Sequence, residues 1–452
     1  MNAPTHYQIN SSALRPITKA VYSKKDLADI QKVLSVHKTL EFAPTSNGLF
    51  PAAATADSEN TGYKYVWVRD NVYVAYAHYV MEEHAVAAKT LTELMTYFQK
   101  FSFHFADIIK NPELKEQVMK RPHIRFNGES LTEIDENWEH AQNDALGYFV
   151  WLYCTLAAQP ETQSLIGLDA ASTETLSQFL LYFDAIQYWQ DLDSGHWEEG
   201  RKISASSIGA VVAGLKALRS LTQSHSLPLP QTDESSDELI SHLIQKGESA
   251  LSTILPWECR TTEGKRRYDA ALLYLIYPLK VVNRAQAKEI LSDVKEALTG
   301  DHGIQRYPYD SFWCRDFQDL DKSVQTAQYS GRETWLKEHN RVVKRGEEAQ
   351  WCIFDPIISA IYGEWFQESG EAEYLELQTL HLNRALGQIT GEGNTVEAGK
   401  GSNEPVEIPA NRCPELYYIQ HDSYVPNVST PLLWTQANLC IALKLMEQSL
   451  DT

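Results

Sequence analysis

The feature that most constrains the fold of this 452-residue chain is helical periodicity that recurs about a dozen times while strand-like alternation stays scarce. Apolar residues return at three- and four-residue intervals over 25–37, 71–81, 85–103, 144–157, 172–190 and 206–221. The same spacing reappears over 236–254, 269–277, 284–298, 351–368, 371–389 and 431–448. These segments are amphipathic or nearly apolar throughout, and loops rich in Gly, Pro, Ser and Asn separate them. The loops 43–63, 224–237 and 391–412 are the longest, and loops of such length usually carry function or lack order. The segment 224–237, SHSLPLPQTDESSD, could divide two domains, but helices of the same character continue on both sides. No solenoid-type repeat is present. The pattern predicts an all-α fold, read as one domain over residues 1–452. A closed barrel of helical hairpins, a solenoid or two bundles would each satisfy it.

Charge and motif content remove several function classes. Asp plus Glu number 60 and Lys plus Arg 40, a net charge of −20. Such a chain offers no cationic field for nucleic acid or an anionic membrane. No apolar run approaches the ~18 residues of a membrane span, and residues 1–20 have no apolar core of a signal peptide. The six cysteines are scattered without metal-type spacing, which leads us to expect free, mostly buried thiols and a cytoplasmic protein. There is no P-loop, no GxGxxG after a strand, no HExxH and no GxSxG. The 14 histidines form no metal pair along the chain. Neither a metal nor an organic cofactor is expected.

Carboxylates beside tryptophan are what remain. In DLDSGHWEEGRKISASSIG, Glu198 and Glu199 directly follow Trp197. A carboxyl beside an indole is desolvated and can hold a proton near neutral pH, as a general acid must. As a plain alternative, the pair are helix-entry acids near a favourable dipole. In NRCPELYYIQHD, Glu415 follows Pro414 and precedes two tyrosines. Two carboxyl groups are what glycoside hydrolysis requires: one protonates the leaving oxygen and the other activates water or attacks carbon. In YKYVWVRDNVY, Trp67, Arg69 and Asp70 stand at a loop-to-helix transition. Either Asp70 caps the helix, or the cluster offers a sugar an apolar platform and a fork of donors. The same polar-aromatic mixture occurs in ENWEHAQND with Trp138, in GIQRYPYDSFW with Arg306, Tyr307, Asp310 and Trp313, and in EEAQWC with Glu348 and Trp351. His140 and His196, close to these clusters, read as hydrogen-bonding wall residues.

The segments WVRD, WEHAQND, HWEE, YDAALLYL, QRYPYD, EEAQWC and CPELYY, in that order from about residue 60 to 445, resemble the successive motifs of glycoside hydrolase family 15, the glucoamylase-like enzymes. The resemblance implies an (α/α)6 barrel of twelve helices. It also implies inverting exo-hydrolysis of an α-glucosidic bond with release of β-glucose. By that resemblance Glu198 is the general acid and Glu415 the general base. Arg69 and Asp70 clamp the terminal glucose, and Trp67, Trp138, Trp197 and Trp351 wall the sugar pocket. Arg306 and Tyr307 match the motif beside the cleaved bond, Glu199 matches a position on the leaving side, and Glu348 lies among the substrate-facing residues.

WVRDNVY, KISASSIGAVVAGLKAL and CPELYY are more similar to the N-terminal domain of the phosphorylase kinase α and β regulatory subunits than to fungal glucoamylases. No counterpart of those subunits' C-terminal extension, or of a starch-binding domain, is recognised. A small soluble α-glucoside or oligosaccharide is therefore the expected substrate. A trehalase is a variant of the same reading. The alternative is a catalytically weak or inactive glucan-binding regulatory protein with a glycogen-metabolising enzyme as partner.

Overall fold

The computed structural model describes residues 7–53, 62–225, 229, 236–260, 265–320, 329–397 and 405–452. Twelve helices build the framework: α1 (Lys24–Val36), α2 (Val68–Val80), α3 (His84–Lys100), α4 (Asn143–Ala158), α5 (Ala170–Ile186), α6 (Ala205–His225), α7 (Ser236–Ile254), α8 (Leu273–Ile276), α9 (Arg284–Ala297), α10 (Phe354–Ser369), α11 (Ala372–Gly387) and α12 (Leu433–Ser449). The helix α8 is one turn, extended at its start by a 3-10 turn over Ala270–Leu272.

Two burial patterns sort these helices. In α1 the buried residues are Leu27, Ile30 and Leu34, and in α9 they are Ala287, Ile290, Leu291 and Val294. That single stripe marks a helix with one face in solvent. In α4 nearly every residue from Asn143 to Ala157 is buried, and α6 is buried continuously from Ala205 to Leu215. A helix apolar all round must be enclosed on every side. The even-numbered helices accordingly form an inner ring, α2 against α4, α6, α8, α10, α12 and back to α2, while each odd-numbered helix packs outside it. This is the (α/α)6 barrel. The tightest inner contact is α4 against α6, where a Cβ on Gly147 would lie 2.5 Å from the Ala210 carbonyl carbon. Only glycine lets the two backbones approach that closely.

Strands are short and belong to the loops. β1 (Val66–Trp67), β2 (Arg125–Asn127) and β3 (Thr132–Glu133) make one antiparallel sheet. In a second sheet, β4 (Gln350–Trp351) pairs with β7 (Leu416–Gln420), which pairs with β8 (Ser423–Pro426). β5 (Thr395–Val396) and β6 (Val406–Glu407) form a separate ladder.

Among the differences from the helix limits read in the sequence, three stand out. α2 starts at Val68 rather than 71, because Trp67 supplies the extended cap residue; Asp70 is therefore inside the first turn and is not the cap. The segment read as 85–103 breaks after Lys100, and a separate helix runs over Phe103–Lys110. Trp351 is not helical: its N–H bonds to the Ile304 carbonyl at 2.8 Å, and it pairs with Leu416 across the sheet. Much of the 224–237 stretch, and parts of 43–63 and 391–412, lie outside the described residues, whereas α6 and α7 on either side of the first pack together. All six cysteines are buried. Among the described residues no helix is long and apolar enough to cross a membrane.

Candidate active site

Each inner helix begins where a loop returns from the outer ring, and every sequence-selected residue lies in those returns or in the first turn that follows. The six starts meet at one mouth, as contacts between them show. Arg69, in the first turn of α2, donates to Asp144 at 2.7 Å and Gln142 at 3.1 Å at the start of α4. Its guanidinium also lies 5.6 Å from the Trp434 ring at the start of α12. Trp197, before α6, donates its indole N–H to Asp269 before α8 at 2.9 Å, and its ring lies 6.1 Å from Trp351 before α10.

The loop carrying Trp197, Glu198 and Glu199 is closed at its base. Asp193 and Lys202 exchange backbone hydrogen bonds of 3.0 and 2.8 Å, and the Asp193 carboxylate accepts from the Asn143 N–H at 3.0 Å. At its tip Glu198 has φ 56°, a left-handed conformation that side-chain-bearing residues adopt at a cost. The turn separates two adjacent acids. Glu198 Oε1 accepts from Trp67 Nε1 at 2.8 Å and lies 3.6 Å from Arg69. Burial raises its pKa, opposed by the Arg69 charge and the Trp67 hydrogen bond. Glu199 turns the other way and meets Arg266 at 2.8 Å and Lys202 at 3.5 Å. Burial alone would raise its pKa, but these cations hold it at about 2, so it is ionised.

Glu415 enters from the opposite side. The pairing of Trp351 with Leu416 fixes its backbone, and its carbonyl accepts from the Cys352 N–H at 2.9 Å. The residue is 2% exposed. Tyr63 donates to Oε1 at 2.7 Å and Asn427 donates to Oε2. Burial raises the pKa of Glu415, and the Tyr63, Asn427 and Ser429 hydrogen bonds oppose that shift. The two carboxyl groups share neighbours. The Tyr63 and Trp67 ring centres, one beside each carboxyl, are 5.7 Å apart. Asp70 is pushed up to about 7 by burial, and both Glu198 and Glu415 add to that rise against the pull of Arg69.

The remaining sequence candidates divide into wall and support. The Trp138 and Trp67 rings meet edge-on at 6.2 Å, and the Arg125 guanidinium lies 4.0 Å from Trp138 and 5.2 Å from Trp67. Arg306 is gripped by Asp310 through two bonds of 2.6 and 2.8 Å, above Trp351 at 4.8 Å and Trp197 at 5.1 Å. Tyr307 lies beneath Arg266 at 3.5 Å. Glu348 is engaged elsewhere: its oxygens accept from the Tyr309 N–H at 2.7 Å and the Gly346 N–H at 2.6 Å, bracing the loop that carries Arg306. His196 bonds Tyr148 at 3.0 Å, and burial lowers its pKa to about 4. Sequence reasoning missed Tyr63, Gln142 and Asp144 as partners, and also Arg266, Asp269 and Asn427. Tyr63 lies in a loop singled out for its length, and Asn427 closes the hairpin that begins with CPELYY, so each had a weak signal.

Residues 32–348 match the family described as glycosyl hydrolases family 15. The chain belongs to that family. This family-15 chain is 28% identical over 276 residues to a probable phosphorylase b kinase regulatory subunit alpha of Caenorhabditis elegans, covering 55% of its own length and 21% of the relative. It is 28% identical over 160 residues to the uncharacterized lipoprotein YgeQ of Escherichia coli (strain K12), 31% of its length and 60% of the relative. It thus spans between a fifth and three fifths of these curated relatives. Among solved structures, a wild-type glycosidase aligns with TM-score 0.63 at 15% identity, over 94% of this chain and 99% of the other. The glucoamylase of Saccharomycopsis fibuligera aligns with TM-score 0.58 at 12% identity, over 99% and 98%. A bacterial glucoamylase complexed with acarbose aligns with TM-score 0.54 at 13% identity, over 94% and 56%. At these identities the likeness establishes the fold.

Proposed function

We propose that this family-15 protein is an exo-acting, inverting hydrolase of soluble α-glucosides that releases β-glucose, with Glu198 as general acid and Glu415 as general base. The observation that carries the reading is the contrast between two desolvated carboxyl groups at one barrel mouth. Glu198 accepts from Trp67 on Oε1, with Gln142 a second side-chain hydrogen-bond partner, and burial outweighs these to raise its pKa, which suits a carboxyl that carries a proton toward a leaving oxygen. Glu415 is held by Tyr63 and Asn427, donors that suit a carboxylate. In the reaction, Glu415 takes a proton from water as the water attacks C1, and Glu198 gives its proton to the departing glycosidic oxygen. The new negative charge on Glu198 then lies 3.6 Å from Arg69. The Trp67, Trp138, Trp197 and Trp351 rings suit the C–H faces of a sugar, and Arg69 and Asp70 suit its hydroxyls. A structural neighbour is a glucoamylase complexed with acarbose. The buried thiols favour a reducing, cytoplasmic setting.

A second reading, a glucan-binding regulatory barrel without turnover, is favoured by the kinase-subunit relative. It is also favoured by the internal pairing of Glu199 with Arg266 and of Arg306 with Asp310, which occupies groups that would otherwise grip a leaving sugar. One experiment separates the two. The wild type and Glu198→Gln are incubated with maltose, isomaltose, trehalose and maltotetraose, and free glucose and its anomer are followed. Release of β-glucose that vanishes in the variant supports the hydrolase. Calorimetric sugar binding without release from any of the four supports the regulatory barrel.

A further inference from the structure

Away from the mouth, behind its aromatic wall, the fold gathers two histidines that look unrelated along the chain. His104 lies in the first turn of the Phe103–Lys110 helix, His123 lies just before β2, and Glu133 ends β3. One ligand atom from each falls within 4.8 Å of the others.

The hydrogen bonds behind the rings determine what faces the centre. His104 Nδ1 is 2.8 Å from the Lys120 carbonyl oxygen and His123 Nε2 is 3.1 Å from the Met119 carbonyl oxygen. A carbonyl only accepts, so each of those nitrogens carries the hydrogen. In the neutral rings His104 Nε2 and His123 Nδ1 therefore present lone pairs. Glu133 Oε1 lies 2.6 Å from the first and 3.4 Å from the second. A proton on His104 would satisfy the shorter contact. It would leave His123 Nδ1, buried and without a hydrogen-bond partner, facing a carboxylate across a gap with no charge between them. A divalent cation satisfies all three electron pairs at once. Backbone carbonyls gripping the rear nitrogens are what orients imidazoles toward a metal.

We propose that His104, His123 and Glu133 form a zinc(II) site, completed by water. Two imidazoles and one carboxylate suit zinc rather than calcium or magnesium, which prefer all-oxygen shells. Metal–ligand distances of about 2.0–2.2 Å place tetrahedral ligands roughly 3.4 Å apart. The His123–Glu133 pair already has that spacing, at 3.4 Å. The His104–Glu133 pair needs to open by about 0.8 Å on the same geometry, which the Glu133 side chain, 24% exposed, has room to do. The site has a structural position to hold. His123 stacks on His140 at 3.8 Å, and Ile124, the next residue, accepts from the Val68 N–H at 2.9 Å. Arg125 pairs across the sheet with Trp67, the donor to Glu198. Zinc would brace the strand behind the wall of the mouth.

The test uses the full chain stripped by a chelator and then titrated with Zn2+ by calorimetry, with Co2+ as a spectroscopic probe. The expected result is one equivalent of Zn2+ and a Co2+ d–d band lost on adding Zn2+. Glu133→Gln and His123→Gln should each weaken binding by at least about tenfold. Wild-type Tm should rise with Zn2+, while Glu133→Gln keeps the apo Tm and circular dichroism but loses that rise. No stoichiometric uptake by the wild type, or uptake unchanged by both substitutions, overturns the proposal.

Discussion

Trp67 donates its indole N–H to Glu198 Oε1 at 2.8 Å, so the start of one inner helix holds the acid carried by the loop before another. On the proposed reaction, Glu198→Gln and Glu415→Gln should each lower kcat by about 10²–10⁴-fold. Trp67→Phe keeps the ring but removes the donor, and Tyr63→Phe does the same at Glu415. Hydrogen bonds to charged groups contribute about 1.5–3 kcal/mol, so each should cost roughly tenfold to a hundredfold in kcat. Steady-state rates on the best disaccharide of the panel check the order; a Tyr63→Phe enzyme with wild-type kcat would count against Glu415 as the base.

The pH–rate profile should be a bell. Its acid limb is protonation of Glu415 and its alkaline limb deprotonation of Glu198, and burial raises both pKa values. Asp70 titrates near 7 beside both, and its negative charge disfavours ionisation of each. Removing that charge with Asp70→Asn should move both limbs of kcat/KM to lower pH. A profile that only drops in height would show that Asp70 does not act through charge.

Glu199 and Glu258 predict opposite trends of stability with pH. Arg266 and Lys202 hold Glu199 at about 2. Its stabilisation is fully present above the unfolded value near 4.5 and is lost as pH falls toward 2. Glu199→Gln should therefore lower Tm more at pH 7 than at pH 3, and thermal melts at the two values check it.

Burial and the nearby Asp269 push Glu258 up to about 8. The folded protein then binds a proton that the unfolded chain releases, so stability falls as pH rises from about 4.5 to about 8. Glu258→Gln can keep both contacts to Ser206 without carrying that charge. Its Tm relative to wild type should climb by about 2–4 °C between pH 5 and pH 8, measured by calorimetry in matched buffers.

The contact of α4 with α6 gives a prediction independent of chemistry. Gly147→Ala places a methyl 2.5 Å from Ala210 backbone. Overpacking of this kind costs about 1–3 kcal/mol, so urea unfolding should show a lower midpoint. Gly370, whose added Cβ would meet nothing, has φ 70°; substitution there should cost only local strain.

Legibility followed range. The single stripe of α1 and the all-round apolarity of α4 are local patterns, and both were readable because burial dictates residue type at fixed spacing. Glu198 stands out in the sequence because Trp197 precedes it, but the indole that donates to it is Trp67, 131 positions away, while the Trp197 indole donates to Asp269. The sequence places the start of α2 at 71 because Asp70 carries a capping signal, whereas Trp67 supplies the cap and the buried Val68, Arg69 and Asp70 are helical. Trp351 reads as helical in the sequence because its pairing partner, Leu416, is distant in the chain, and a two-residue strand leaves no periodicity to detect.

By itself the sequence determined a twelve-helix all-α framework and its loop-borne acids, because helical periodicity and short motifs are properties of neighbouring residues. Only the tertiary structure decided that Tyr63, 352 positions away, donates to Glu415, that Arg266 meets Glu199, and that His104, His123 and Glu133 converge. Those relationships arise when the inner ring closes, and ring closure is set by packing between helices that no local spacing encodes.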